Sequence, residues 1–134
     1  MRILIIEDDL MSRTYMQKIV KDLGTIDSAV NGDEGLQSFS KSLDEGKPYD
    51  LILLDINMPK KEGQEVLKQI RLTERERGIP DSSRTKVVMT TALSDDENVM
   101  QAFENLCEGY LVKPFEKEVV IGQLRALGFD VHYD

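Results

Sequence analysis

The chain has 134 residues, the length of a single domain, and its 40% hydrophobic and 31% charged residues exclude a disordered protein. No apolar run approaches the about 18 residues that cross a membrane, and the single cysteine, Cys107, excludes an internal disulfide framework and is typical of a cytoplasmic protein. The net charge of −8 argues against direct DNA binding, because phosphate contacts require clustered lysine and arginine side chains.

Short apolar runs alternate along the chain with longer amphipathic stretches. Residues 3–6 (ILII) predict a strand buried on both faces, and residues 10–23 predict a helix that Gly24 ends. The other predicted elements, in chain order, are a weak strand at 25–30, a helix that Asn31 and Glu34 begin, a strand at 51–54, a helix that runs to about residue 78, a strand at 87–89, a helix with a Ser94 and Glu97 capping box, a strand at 110–112 and a helix at 119–127.

This alternation gives five strand–helix units and therefore predicts a parallel sheet with helices on both faces. Ligands of such sheets bind outside the carboxyl ends of the strands. The sequence places polar residues at four of these ends, namely Glu7-Asp8-Asp9, Asp55, Thr90-Thr91 and Lys113-Pro114.

Carboxylates that lie close together repel one another unless a cation sits among them. Their hard oxygen ligands favour Mg²⁺, which prefers one or two carboxylates together with phosphate oxygens. A carboxylate can also attack phosphorus, while a lysine and a threonine hydroxyl stabilise the transferred phosphoryl group. The strand ends therefore suggest phosphoryl chemistry on an aspartate.

Each of these residues also has an ordinary structural explanation. Glu7-Asp8-Asp9 could be a solvated turn that caps the next helix, and Asp55 could be a helix cap or a turn residue. Thr91 could be a β-former at a strand end, and Lys113 could be a solvated charge. The functional interpretation depends on the coincidence that all of them fall at the same edge of one sheet.

Four motifs, in this order and spacing, resemble the receiver domain of bacterial response regulators. They are Ile3-Leu4-Ile5-Ile6-Glu7-Asp8-Asp9, Leu53-Leu54-Asp55-Ile56-Asn57-Met58-Pro59, Thr91-Ala92 and Tyr110-Leu111-Val112-Lys113-Pro114-Phe115. The resemblance is to the stand-alone, chemotaxis-type receivers and covers residues 1–128, followed by a short tail at 129–134. It implies a flavodoxin-like (βα)₅ fold with the strand order 2-1-3-4-5.

The resemblance implies a role for each matched residue. Asp55 would accept a phosphoryl group from a histidine of a partner kinase or phosphotransfer protein. Asp8, Asp55 and the backbone carbonyl of Asn57 would ligate Mg²⁺, with Glu7 acting directly or through a water. Lys113 and Thr91 would contact the phosphoryl oxygens.

The family also implies a conformational switch and its readout. Tyr110 would reorient when Thr91 moves, and the Lys113–Pro114 peptide would be cis. The surface of helix four, strand five and helix five would then bind an unknown downstream protein. Residues 87–134 carry a net charge of −6, which indicates a basic or apolar partner surface.

Two segments depart from the family pattern. Lys60-Lys61-Glu62-Gly63 places charges where the family often has an apolar residue and an aspartate before the glycine. Residues 78–86 lengthen the connection between helix three and strand four, as a partner contact or as a tolerated insertion.

Three other function classes are weighed against the receiver. Haloacid-dehalogenase-like phosphatases need an acid at position 57, where this chain has Asn57, and nucleotide-binding glycine motifs are absent from the sequence. The serious alternative is a phosphorylation-independent interaction module on the same fold, although no residue required for phosphoryl transfer is missing. The sequence thus predicts a signalling domain and not an enzyme.

Overall fold

The computed structural model describes residues 1–56, 58, 62–92 and 96–131, and for residues 96–99 it describes the backbone alone. Within these residues, five strands and five α-helices alternate, with one short 3₁₀ helix at Asp81–Ser83. The elements are β1 (Arg2–Ile6), α1 (Leu10–Val20), β2 (Thr25–Ala29), α2 (Gly32–Asp44), β3 (Leu51–Asp55), α3 (Gly63–Glu76), β4 (Lys86–Thr91), α4 (Asp96–Glu104), β5 (Gly109–Val112) and α5 (Lys117–Ala126).

The strands form one parallel sheet in the order β2-β1-β3-β4-β5, which confirms the predicted topology. The register places Ile6 opposite Leu54, Asp55 opposite Thr90, and Thr91 opposite Val112. The residues that follow β1 and β3 therefore emerge side by side at the carboxyl edge of the sheet.

Each face of the sheet packs against its own set of helices, because successive side chains of a strand point to opposite faces. Leu4 and Ile6 belong to one buried cluster with residues of α2, α3 and α4. Ile3 and Ile5 belong to a second cluster with residues of α1 and α5. The apolar runs of the sequence are thus buried on both sides, as predicted. None of the described helices has both the length and the apolar character that a bilayer crossing requires.

The observed starts and ends of the helices can be compared with the capping and stop residues predicted from the sequence. Asn31 caps α2, since its side chain accepts a hydrogen bond from the backbone N–H of Glu34 at 2.9 Å, as predicted. The first helix ends at Val20, earlier than the predicted residue 23. Gly24 is required for a close backbone approach instead, because a Cβ there would lie 1.9 Å from the carbonyl oxygen of Met1. The Ser94 capping box lies outside the described residues.

The C-terminal end of α4 is a Schellman motif with an unusual residue at its centre. The N–H of Cys107 donates to the carbonyl of Ala102, and the N–H of Leu106 donates to that of Phe103. Leu106 continues the apolar periodicity of α4 in the sequence but lies beyond the end of the helix, at a φ of 71°. Cys107 is buried, and this burial raises the pKa of its thiol to about 11.

Candidate functional site

Three carboxylates meet at the carboxyl edge of the sheet. Glu7 and Asp8 directly follow β1, and Asp55 ends the neighbouring strand β3. One carboxylate oxygen from each residue lies within 4.8 Å of the other two. The expectation that parallel strand ends bring these acids together is confirmed for these three residues.

The Lys113 ammonium offsets part of this negative charge. Its Nζ donates to Oε1 of Glu7, and it lies 3.7 Å from Oδ2 of Asp55. Glu7 is completely buried. Burial opposes ionisation of Glu7, but its hydrogen bonds with Asp55 and Lys113 outweigh this effect and lower the pKa of Glu7.

Asp8 differs from Glu7 because it is exposed and does not share the contact with Lys113. Partial desolvation and the neighbouring Glu7 raise the pKa of Asp8. An added proton or an added cation would relieve this repulsion. The donor set consists of hard carboxylate oxygens, which fits Mg²⁺ better than softer metals.

Asp9 caps helix α1 and does not belong to the carboxylate cluster of Glu7, Asp8 and Asp55. Its Oδ2 accepts a hydrogen bond from the N–H of Ser12 at 2.8 Å and so caps α1. This hydrogen bond lowers the pKa of Asp9. In the same turn, the Arg13 guanidinium donates to the carbonyl of Glu7 at 3.0 Å. The alternative that one of the acids is a helix cap is therefore correct for Asp9.

Thr91 ends β4, and Lys113 directly follows the neighbouring strand β5 at the same edge of the sheet. Thr91 is buried at the end of β4, and its carbonyl accepts a hydrogen bond from the N–H of Lys113 at 2.7 Å. The Lys113–Pro114 peptide is cis, as expected. Tyr110 is half-buried in β5, and its carbonyl accepts from Gln123 of α5. Asn57 and Lys61 lie outside the described residues.

Gly63, at the start of α3, sits directly against the backbone of the site. A Cβ at this position would lie 2.3 Å from the carbonyl oxygen of Asp55 and 2.7 Å from Cα of Ile56. The N–H of Gly63 also donates to the carbonyl of Ile56 at 2.9 Å. The glycine in the sequence motif thus allows α3 to begin against the end of β3.

Gly63→Ala is therefore expected to displace the end of β3 and to destabilise the fold by about 2 kcal/mol. Urea denaturation of the two proteins measures this cost. Gly122→Ala is the matched control, because Gly122 is helical and a Cβ there would meet no atom within 4 Å. An equal free energy of unfolding for Gly63→Ala and the wild type would contradict the argument.

An apolar groove flanks the acidic cluster on the side of α1. Its volume is about 320 Å³, and its lining includes Met11, Tyr15, Lys113 and Phe115. The Tyr15 hydroxyl donates to the carbonyl of Phe115 at 2.7 Å, which ties α1 to the segment after β5. Met11 is exposed, so the groove offers apolar surface next to the carboxylates.

A buried ionic network at the opposite edge of the sheet was not predicted from the sequence. Arg71 of α3 donates to Glu74, to the carbonyl of Thr85, to both carboxylate oxygens of Glu108 and to the carbonyl of Leu106, at 2.6–3.0 Å. Glu74 also accepts from the N–H of Thr85 at 2.7 Å. The network joins α3 to the residues that precede β4 and β5.

Comparison with known proteins explains the acidic edge. The model of the response regulator receiver domain family matches residues 3–125. The chain belongs to this family. A receiver domain is a module of two-component signalling and not an enzyme, and the cluster of Glu7, Asp8 and Asp55 is consistent with a phosphoacceptor site.

The receiver is similar in sequence to longer proteins, of which it matches about half, and to proteins that it matches over nearly their full length. It is 35% identical over 127 residues to the transcriptional regulatory protein ResD of Bacillus subtilis, a match that covers 94% of this chain and 47% of ResD. It is 32% identical over 124 residues to the chemotaxis protein CheY of Listeria monocytogenes, which covers 92% of this chain and 95% of CheY. The chain thus spans about half the length of the first transcriptional regulatory proteins that it matches.

The fold is also similar to that of solved receivers. The CheX-CheY-BeF₃-Mg²⁺ complex from Borrelia burgdorferi matches with a TM-score of 0.82 and 21% identity, over 96% of this receiver and 90% of that chain. At this identity the similarity supports the fold alone.

Proposed function

We propose that this receiver is a phosphoaccepting response regulator and that Asp55 takes a phosphoryl group from a histidine of a partner kinase or phosphotransfer protein. The observation that supports the proposal best is the contact set of Asp55. Its carboxylate is almost fully buried, lies 3.7 Å from the Lys113 ammonium and adjoins two further acids. A structural aspartate would not require this arrangement.

In the proposed reaction an oxygen of Asp55 attacks phosphorus, so that a P–O bond forms as the P–N bond to the partner's histidine breaks. The Lys113 ammonium is placed to move from Glu7 and Asp55 towards the new phosphoryl oxygens. Thr91, at the end of β4, supplies a hydroxyl for another of these oxygens. Both groups stabilise negative charge without a change in their own covalent bonds.

The carboxylates of Glu7, Asp8 and Asp55 are the groups that would hold Mg²⁺, together with the backbone carbonyl of Asn57. When bound, Mg²⁺ would neutralise charge on the carboxylates and on the phosphoryl oxygens. Because Glu7 already pairs with Lys113, we assign the direct contacts to Asp8 and Asp55 and a contact through a water to Glu7.

Phosphorylation adds about −1.5 to −2 charges and three acceptor oxygens at Asp55. Lys113 and Thr91 are joined by a backbone hydrogen bond, so a movement of either is transmitted between β4 and β5. We propose that Tyr110 reorients with Thr91 and changes the surface formed by α4, β5 and α5. Among the side chains that the structure describes, the large exposed apolar ones on this surface are Met100, Phe103, Val112 and Val119.

The proposed readout is the binding of a downstream protein to this surface, without direct DNA contact by the receiver.

Residues 1–128 form the receiver unit in this proposal. Phe129 and Val131 then pack against the cluster beneath α1 and α5. The proposed location is the cytoplasm, where a partner kinase domain would supply the phosphoryl group.

The test is the intact mass of the chain after incubation with acetyl phosphate, with and without Mg²⁺. We expect one added phosphoryl group that requires Mg²⁺ and that is absent from Asp55→Asn. Folding of this variant is checked by circular dichroism. A folded wild type that binds Mg²⁺ and remains unmodified would support the phosphorylation-independent module, and an adduct on Asp55→Asn would identify a different acceptor.

A further inference from the structure

A groove between α3 and the end of α4 lies at the edge of the sheet opposite the acidic site. It has a volume of about 290 Å³ and is lined by Lys68, Arg71, Leu72, Arg75, Glu104, Asn105 and Leu106. A smaller cavity of about 70 Å³ shares Arg71, Arg75 and Leu106 and extends the groove towards Ile79. The acidic site and the α4-β5-α5 readout do not account for it.

Two exposed leucines form the apolar part of this groove. Leu72 of α3 is 49% exposed, and Leu106 is 41% exposed. Leu106 adopts a φ of 71°, a conformation that glycine adopts at no cost and that leucine disfavours. Because the Leu106 side chain is not fully buried within this chain, a contact outside the chain would bury more of it.

Two cations flank the leucines. Lys68 and Arg75 are exposed, and neither side chain forms an ion pair with a described residue. With Leu72 they form one stripe of α3, because residues seven apart on a helix share a face and lie about 10 Å apart along its axis. This stripe is locally basic within a chain of net charge −8.

We propose that the groove between α3 and the end of α4 docks an acidic amphipathic helix of a partner protein. The helix would present an apolar side chain to Leu72 and Leu106, between two carboxylates that face Lys68 and Arg75. In an antiparallel helix these three groups would occupy positions i, i+3 and i+7, which is the i, i+4 and i+7 spacing of Lys68, Leu72 and Arg75 read in the opposite direction.

The charge distribution favours a protein helix over other anionic partners. Nucleic acids and anionic membranes are bound by larger clusters of basic side chains. Here two exposed cations lie around an apolar centre, and Glu104 on the opposite wall would repel a continuous negative surface. The docking needs no phosphoryl chemistry, so its test is independent of Asp55.

The experiment uses a lactam-bridged helical peptide with Glu, Leu and Glu at positions i, i+3 and i+7, labelled for fluorescence anisotropy. We expect the full chain to bind it and the scrambled peptide of equal composition to bind at least about tenfold more weakly. Lys68→Glu/Arg75→Glu should weaken binding by roughly tenfold or more. Lys18→Glu/Lys47→Glu changes the charge equally at exposed sites elsewhere and should weaken it less than about twofold.

Leu106→Gly separates docking from a structural role. Glycine suits the backbone at this position, so the urea midpoint should stay constant or rise while peptide binding weakens about fivefold. Absence of peptide binding, equal losses in the two double variants, or unchanged binding by Leu106→Gly would overturn the proposal. Binding of anionic vesicles or duplex DNA that Lys68→Glu/Arg75→Glu abolishes would also overturn it, in favour of that other partner.

Discussion

Replacement of Arg71 by methionine is expected to lower the free energy of unfolding by about 3–5 kcal/mol. Only 6% of Arg71 is exposed, and its guanidinium bonds two carboxylates and two backbone carbonyls. Methionine keeps most of the apolar stem but leaves the buried Glu74 without its cation and leaves Glu108 with the longer ion pair to Arg84, at 3.7 Å. A domain of this size has about 5–15 kcal/mol of stability, so the variant should lose a large fraction of it.

Urea denaturation of Arg71→Met and Arg77→Met measures this effect against a matched control. Arg77 lies just beyond α3 and pairs with Asp44 at 2.8 Å, but the pair is exposed and should contribute less than about 1 kcal/mol. Adding Glu74→Gln and Glu108→Gln to Arg71→Met should recover part of the loss, because amides cost less to bury than carboxylates. Equal losses in the two arginine variants would contradict the explanation.

Lys113→Met is expected to affect both stability and phosphoryl transfer. It leaves the completely buried Glu7 without its ammonium partner and should cost about 3 kcal/mol at neutral pH in the absence of Mg²⁺. The rate of phosphorylation by acetyl phosphate should fall about 100-fold, as when one donor to a developing negative charge is removed. Lys18→Met, at an exposed position, is the control for both measurements.

The stability loss in Lys113→Met should depend on pH in a definite direction. In the wild type the pKa of Glu7 is lowered, so its contribution is present above the unfolded pKa and is lost as the pH falls through the folded pKa. In the variant the remaining burial penalty opposes ionisation, and stability is lost as the pH rises. The difference between the two proteins should therefore be small near pH 4 and grow towards pH 7, and a constant difference would refute this cause.

The parallel sheet could be predicted because its central strands are short runs in which every residue is apolar, and such runs are typical of strands that are buried on both faces. Residues 3–6 and 51–54 have this pattern, and they occupy the two central neighbouring strands β1 and β3. The end of the first helix could not be predicted, because Gly24 serves a contact with Met1 that is not local to the helix. Leu106 continues the apolar periodicity of the helix but has a left-handed backbone conformation. The spacing of apolar residues carries no information about this backbone angle.

The carboxylate cluster could be predicted because parallel strands bring their carboxyl ends to one edge. Sequence alone left Asp9 among the candidate acids, since only the hydrogen bond to Ser12 distinguishes a helix cap from a cluster member. The partners of Arg71 could not be predicted, because Leu106 and Glu108 are more than thirty residues away in sequence. A charged residue at an interior helix position is the one clue that the helical pattern offered.

The Arg71 network also bears on the local stability of the sheet. The residues before β4 and β5 are tied to α3 by buried charge-assisted hydrogen bonds, through Thr85 and Glu108. Such contacts raise the cost of local opening at the amino ends of these two strands. A charge placed on Asp55 would act at the opposite ends of the strands, so β4 and β5 would stay in register at one edge of the sheet while rearranging at the other.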